Sequence, residues 1–216
     1  MKPRGIALLA GLVLLASISL LALSAASGMV LQRNMSFNYQ ENTLALENAS
    51  IATAYALAWM NSRLPDERES DCDGACLLPV AFHPDGEMPD QPEFESAAWW
   101  RSNAILAGYN PETAETITTP DQGAEPARWI IEELHHASTG DGRGETTAES
   151  LAYYRILSRG TGRNARSVAV IETIAARPWE GDFQPGHYPP DGPPGPFCSQ
   201  FENRYDCGIL SWRQRR

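Results

Sequence analysis

The chain opens with a long apolar run that passes without a break into an amphipathic stretch. No charged side chain occurs from Gly5 to Gln32, and about 20 apolar residues are enough to cross a bilayer as a helix. Beyond this run a stripe recurs at helical spacing, whereas Glu41 and Glu47 fall on other faces. The stripe consists of Leu44, Asn48, Ile51, Tyr55 and Ala58. The pattern predicts one helix, with a transmembrane half at 6–32 and an amphipathic half at 33–64 that a proline ends.

Positive charge before the apolar run orients the predicted helix in the membrane. Lys2 and Arg4 precede the run and no acidic residue does, and positively charged flanks stay in the cytoplasm. The pattern therefore predicts a single-pass inner-membrane protein with residues 65–216 in the periplasm. A segment of that length is typical of one domain with a single hydrophobic core.

The later part of the chain carries strand patterns. Arg128–Leu134 is β-branched and aromatic at its centre, which predicts a strand. Alternating residues in Leu151–Arg159 and Ser167–Ala175 predict a hairpin, and two glycines and an asparagine between them would supply positive φ angles. Gly208–Arg213 predicts a last strand that returns to the sheet. Because a one-sided helix packs most simply on a sheet, the expected fold class is α+β, with the long helix on a small antiparallel sheet.

Three other stretches are expected at the surface or over the sheet. Residues 97–109 carry paired tryptophans and predict a short helix or loop that covers the core. Residues 178–196 are rich in proline and glycine, so they should run extended over the surface without a packed core of their own. The terminal Arg213, Arg215 and Arg216 are expected to form a solvated tail.

Four cysteines are expected to form disulfides rather than a metal site. They are Cys72, Cys76, Cys198 and Cys207. Four cysteines allow three pairings, and an exported domain lies where disulfides persist. The local pairs Cys72–Cys76 and Cys198–Cys207 are favoured, whereas the spacing does not match a zinc finger or ribbon. We therefore predict no metal site.

Charge and motifs argue against several function classes. The net charge of −10 disfavours nucleic acid as a partner. The four histidines lie at 83, 135, 136 and 187, without a nucleophile signature beside them, and the chain has no HExxH or GxSxG motif. Asp141–Glu145 lacks the spaced acids of a calcium loop. The sequence predicts neither an enzyme nor a bound cofactor.

Several segments together resemble one known family. Arg4-Gly5 before an apolar helix that continues as an amphipathic one looks like a class III, type IV pilin-like precursor. Within that class the chain resembles the PilX family of type IV pilus minor pilins. The segments that carry the resemblance are Met35–Asn38, Asn42–Leu46, Pro126–Leu134, Tyr153–Ile156 and Arg159–Asn164.

The resemblance implies a processing site, partners and a role. A prepilin peptidase would cut after Gly5 and leave Ile6 as an N-methylated terminus. Major pilins carry Glu where this chain has Ala10, which points to a minor subunit. Such a subunit would wait in the inner membrane and then enter the pilus with other minor pilins. It would help to initiate or cap the fibre and support adhesion and twitching motility. The loop between Cys198 and Cys207 resembles the disulfide-closed C-terminal loop of many pilins.

Two other functions stay open at this point. A tip pseudopilin of a type II secretion system would share the leader and the missing Glu, but it would usually carry a larger helical insertion. A membrane-anchored periplasmic binding protein would use the tryptophans and the proline-rich surface for a ligand. A conventional signal peptide cut near Ser24–Ala26 is the rival reading of the first residues.

Overall fold

A single helix, α1 (Arg4–Asn61), forms the first quarter of the chain. The computed structural model describes residues 4–64, 76–78, 89–110, 113–120, 122–137, 151–179, 183–190, 196–201 and 207–215. The chain divides into two compact units, Met1–Gln40 and Glu41–Arg216. In the first unit, α1 is long and apolar enough to cross a membrane, and residues 8–40 are exposed throughout. The helix stops three residues before the predicted end at Leu64.

The second unit contains an antiparallel sheet and a short second helix. The sheet strands are β1 (Cys76–Leu78), β2 (Ile105–Leu106), β5 (Arg128–Ala137), β6 (Leu151–Thr161), β7 (Val168–Pro178) and β8 (Gly208–Arg215). Their order is β1-β5-β6-β7-β8, and β2 also pairs with β5. The strands β3 (Tyr109–Asn110) and β4 (Glu115–Thr116) form a separate pair, and α2 spans Ala97–Asn103. The predicted α+β fold is confirmed, and the strands of the predicted hairpin are longer than expected.

The two faces of the sheet have different covers. On one face, α1 packs through Trp59 against Trp129, with ring centres 5.7 Å apart, and through Ala56 beside Ile156. On the other face, the buried Trp100 of α2 packs with a smaller apolar cluster. That cluster contains Ala104, Ile130, Leu157 and Val170. The paired tryptophans therefore cover the sheet, as the sequence predicted.

The end of α1 is bound by groups from distant parts of the chain. The last carbonyls of a helix have no partner within it. The fully buried guanidinium of Arg177 on β7 donates to the carbonyl oxygens of Met60 and Arg63. The amide of Gly186 donates to the carbonyl oxygen of Asn61 at 2.8 Å. The positive charge of Arg177 also interacts favourably with the dipole at the C-terminal end of the helix. The carbonyl groups at the end of α1 are therefore bound by donors from other parts of the chain.

Aromatic side chains attach the proline-rich segment to other parts of the chain. Phe183 packs against Phe197 and Phe201, which lie beyond this segment, with ring centres 5.4 and 5.6 Å away. Tyr188 donates to the carbonyl oxygen of Tyr109 at 2.7 Å. Burial raises the pKa of the Tyr188 phenol. Residues 191–195 lie outside the described part.

The disulfide between Cys198 and Cys207 closes the loop before β8, which confirms the predicted disulfide-closed C-terminal loop. The other predicted pair includes Cys72, which lies outside the described residues. So do His83 and the loop around Asp141–Glu145. Cys76 lies in β1, but its side chain is not described.

The expected solvated tail of arginines is wrong for Arg215, whose side chain is 14% exposed, whereas the side chain of Arg213 is 67% exposed. Arg215 lies in β8, and its Nε donates to Glu93 Oε2 at 2.8 Å. The same guanidinium also pairs with Glu172, which in turn binds Arg213 Nε at 2.8 Å. The physical cause is that β8 pairs with β7, which brings Arg215 beside the acidic Glu172 of that strand. Arg216 lies outside the described residues.

Replacing Arg177 by Met should destabilise the second unit by about 2–4 kcal/mol, because the carbonyls at the end of α1 would lose charged donors. Urea unfolding of the full chain in detergent micelles, followed by near-ultraviolet circular dichroism, measures the change. Arg163→Met is the matched control, since Arg163 is exposed. Equal effects of the two substitutions would contradict the role given to Arg177.

Candidate functional site

The docked part of α1 meets β6 and the turn after it in one polar contact. We call this the helix–turn contact and define it as residues 41–49 of α1 against residues 160–164. It contains the Gly160-Thr161-Gly162 motif. The buried polar side chains that α1 contributes to it are Glu41 and Asn48, which are 3% and 1% exposed.

The two glycines of the motif make room for the helix. A Cβ at Gly160 would collide with backbone atoms of Ala45 and Ala49. A Cβ at Gly162 would lie 2.6 Å from the carboxylate of Glu41. The prediction that these glycines supply positive φ angles is wrong. Among the described residues, positive φ occurs in glycine only at two other positions, 108 and 208.

The carboxylate of Glu41 binds the turn between β6 and β7. Its Oε2 accepts from the backbone amide of Asn164 at 3.0 Å and from Asn164 Nδ2 at 2.8 Å. Asn164 Oδ1 accepts in turn from the amides of Arg166 and Ser167, at 3.1 and 2.9 Å. Asn164 thus shapes the turn and joins it to the helix. The prediction that Glu41 lies away from the packed face is therefore wrong.

Asn48, about two helical turns after Glu41, supplies the second polar connection between α1 and the sheet. Its Nδ2 donates to the carbonyl oxygen of Thr161 at 2.7 Å, and its Oδ1 accepts from the amide of Gln122 at 3.2 Å. The Thr161 hydroxyl donates to the carbonyl of Glu125 and accepts from its amide, at 3.1 and 3.0 Å. The helix, β6 and the segment before β5 therefore share one network of hydrogen bonds.

Glu125 extends this network to the opposite face of the sheet. Its carboxylate pairs with Arg159 of β6 at 2.8 Å and with Arg101 of α2 at 3.2 Å. Both arginines therefore form ion pairs with the same carboxylate, and the Arg159 side chain is almost fully buried. Each feature of the segment Arg159–Asn164 thus has a structural role: Arg159 forms the ion pair, Gly160 and Gly162 allow the close approaches, and Asn164 shapes the turn. Arg163 is exposed.

The part of the chain that the structure describes has no cluster of metal-ligating side chains. Among the described residues, no three His, Cys, Asp or Glu side chains could hold a metal ion. A groove of about 260 Å³ lies between α1 and β8, but its lining is apolar or hydroxylic. The lining residues are Leu46, Ser50, Thr53, Ala54, Leu57, Ile171, Thr173, Ile209 and Trp212. The chemistry of the helix–turn contact is therefore positioning: it fixes α1 on the sheet.

The other predicted site residues are placed as follows. Gly5 and Ile6 lie in the first turns of α1, and cleavage between them stays a prediction. His187 is exposed in the proline-rich segment, and the backbones of His135 and His136 lie in β5.

A long N-terminal helix with an apolar first half, an antiparallel sheet and a disulfide-closed C-terminal loop together define a pilin-like protein. The family model of the type IV pilus assembly protein PilX C-term matches residues 34–177, and the chain belongs to this family. The matched range contains the whole helix–turn contact. No curated protein and no solved structure matches the chain.

Sequence reasoning missed the partners of Glu41 and Arg177. Both side chains bind groups more than 100 residues away in the chain, so helical or strand spacing could not assign them. One signal was available for Glu41: it lies close to a buried helical stripe and carries a charge that needs a partner if it is covered.

Replacing Gly160 by Ala should destabilise the second unit by about 1–3 kcal/mol or more, because the added methyl group meets backbone rather than a flexible side chain. Thermal unfolding of the full chain in micelles would measure the loss. Gly28→Ala is the matched control, since nothing lies within 4 Å of a Cβ there. A Gly160→Ala variant as stable as the control would refute the close approach.

Proposed function

We propose that this protein is a minor pilin that acts in initiation of the type IV pilus or in its tip complex. Membership of the PilX family is the observation that carries the proposal, since it supports a part in pilus assembly. The long helix supports it as well, because a pilus subunit must first reside in a membrane and then pack in a fibre. Adhesion and twitching motility would follow from pilus assembly.

The proposed life of the subunit begins in the inner membrane. The exposed apolar residues 8–31 of α1 need either lipid or neighbouring apolar helices as their surroundings. The domain after the helix would lie in the periplasm, because the positive residues precede the apolar run. Prepilin peptidase would then cut after Gly5, and Ile6 would become the methylated first residue.

Ala10 supports a place at the start or tip of the fibre. In typical pilins a Glu at this position pairs with the terminal amine of a neighbouring subunit. A subunit with Ala there lacks the carboxylate for that pair, so it is poorly suited to repeated stacking along the fibre. Its proposed partners are therefore other minor pilins and pilus assembly proteins.

The proposed cut gives a direct test. Co-expression with a prepilin peptidase should yield a chain that starts at Ile6, whereas Gly5→Val should leave the leader attached. Mass spectrometry of the membrane-extracted protein measures both the start and the methyl group. Gly11→Val is the matched control and should be cut normally, because it lies outside the proposed cleavage site.

Surface pili should be counted in parallel in cells that lack the chromosomal copy. The wild-type gene should restore the pili and the Gly5→Val gene should not. A start near Ser27, an intact Met1 in the presence of the peptidase, or a secretion defect with normal pili would each overturn the minor-pilin proposal.

A further inference from the structure

We propose that residues 41–49 of α1 form a latch that can leave the sheet while residues 52–61 stay docked. We call residues 41–49 the latch from here on. The proposal concerns the second unit alone and rests on how differently these two stretches are bound.

Small and polar side chains hold the latch. Its apolar contacts come from Ala45 and Ala49, which pack against Ala169 and Ile171 beside Leu46. Methyl groups bury little area, and the stabilisation from apolar burial follows the area removed from water. Most of the specific binding of the latch is therefore the hydrogen bonding of the helix–turn contact.

Large apolar side chains hold the following stretch. Tyr55, Leu57, Trp59 and Met60 are all buried, and Trp59 packs on a tryptophan of β5. The end of the same stretch is bound by the guanidinium of Arg177. Undocking residues 52–61 would expose these rings and chains to water and break the charged hydrogen bonds.

The surface under the latch allows a clean separation. Gly160 and Gly162 present backbone rather than side chains to α1, so no side chain has to be withdrawn from a socket at these positions. The groups that would be uncovered can all bond to water: the carboxylate of Glu41, the amide of Asn48 and the turn amide of Asn164. Release thus exchanges protein hydrogen bonds for water, with little apolar exposure.

Release would move the first docked residue from Glu41 to about Ala52. At 1.5 Å per residue, this frees about 16 Å of helix. The use of that extra length when a subunit leaves the membrane and enters a fibre rests on the proposed function. The release itself does not, and it is measured without pili.

Four alanines provide matched probes. Ala45 and Ala49 in the latch, and Ala52 and Ala56 in the next stretch, are all 0% exposed. Each is replaced singly by Cys in the full chain in detergent micelles, and alkylation by a thiol reagent is timed under native conditions. The unsubstituted chain gives the background from its own cysteines. Ala49→Cys should react at least tenfold faster than Ala56→Cys.

Removing the carboxylate should act on the latch alone. Glu41→Ala, combined with Ala49→Cys, should raise the alkylation rate about tenfold, since hydrogen bonds to a charged group are lost. The rate at Ala56→Cys should stay unchanged, which also shows that the domain remains folded. Glu47→Ala is the matched control, because Glu47 is exposed on the same helix.

The outcomes are distinct. Equal alkylation rates at the two positions would mean that α1 docks as one unit, and they would overturn the proposal. The same holds if Glu41→Ala raises both rates together or raises neither. A failure of the peptidase test with selective labelling at Ala49→Cys would count against the proposed function and leave the latch standing.

Discussion

The backbone of α1 lies directly on the backbone of β6 at Gly160, and much of the second unit follows from that distance. An approach this close admits only small residues on the helix, and Ala45 and Ala49 occupy the facing positions. It also covers backbone groups of the strand and turn, which need partners once they lose water. Glu41 and Asn48 supply those partners. The glycines thus allow the close approach of α1 to β6, and the buried polar residues supply the hydrogen bonds that this approach requires.

The opposite end of the docked helix solves a different problem. There the helix must stop, and its last carbonyls need donors in a region crowded with aromatic rings. Arg177 meets both needs, since its guanidinium binds the carbonyls and lies over Trp179, 3.8 Å from the ring centre. Phe183 and Phe197 complete the surroundings of this cation. Phe197 directly precedes Cys198, so the disulfide-closed loop begins next to the rings that surround Arg177.

The spacing of apolar residues along the chain predicts which helices and strands form. It does not predict how closely these elements approach one another. The helix, the hairpin and the last strand each show a period that local sterics impose, so their existence could be inferred. The role of Gly160 could not, because a glycine that allows close approach looks the same in sequence as one that allows a turn. Because charge favours solvent, the sequence predicts Glu41 and Arg215 at the surface, whereas their partners lie on other elements. The segments that resemble the PilX family include Arg159–Asn164, which forms the turn side of the contact. They include neither Glu41 nor Asn48, which bind it from the helix.

The long reach of these contacts has a consequence for the order in which the second unit folds. Glu41 is 123 residues from Asn164, and Met60 is 117 residues from Arg177. A chain synthesised from its N-terminus presents the docking face of α1 well before β6 or β7 has been made. Until then the sheet that buries Trp59 and Met60 is incomplete, and the docking face of α1 keeps large apolar side chains uncovered. The docking surface is complete only when β6 (Leu151–Thr161) and β7 (Val168–Pro178) have both been made, so the N-terminal helix must wait for the later strands before it is covered.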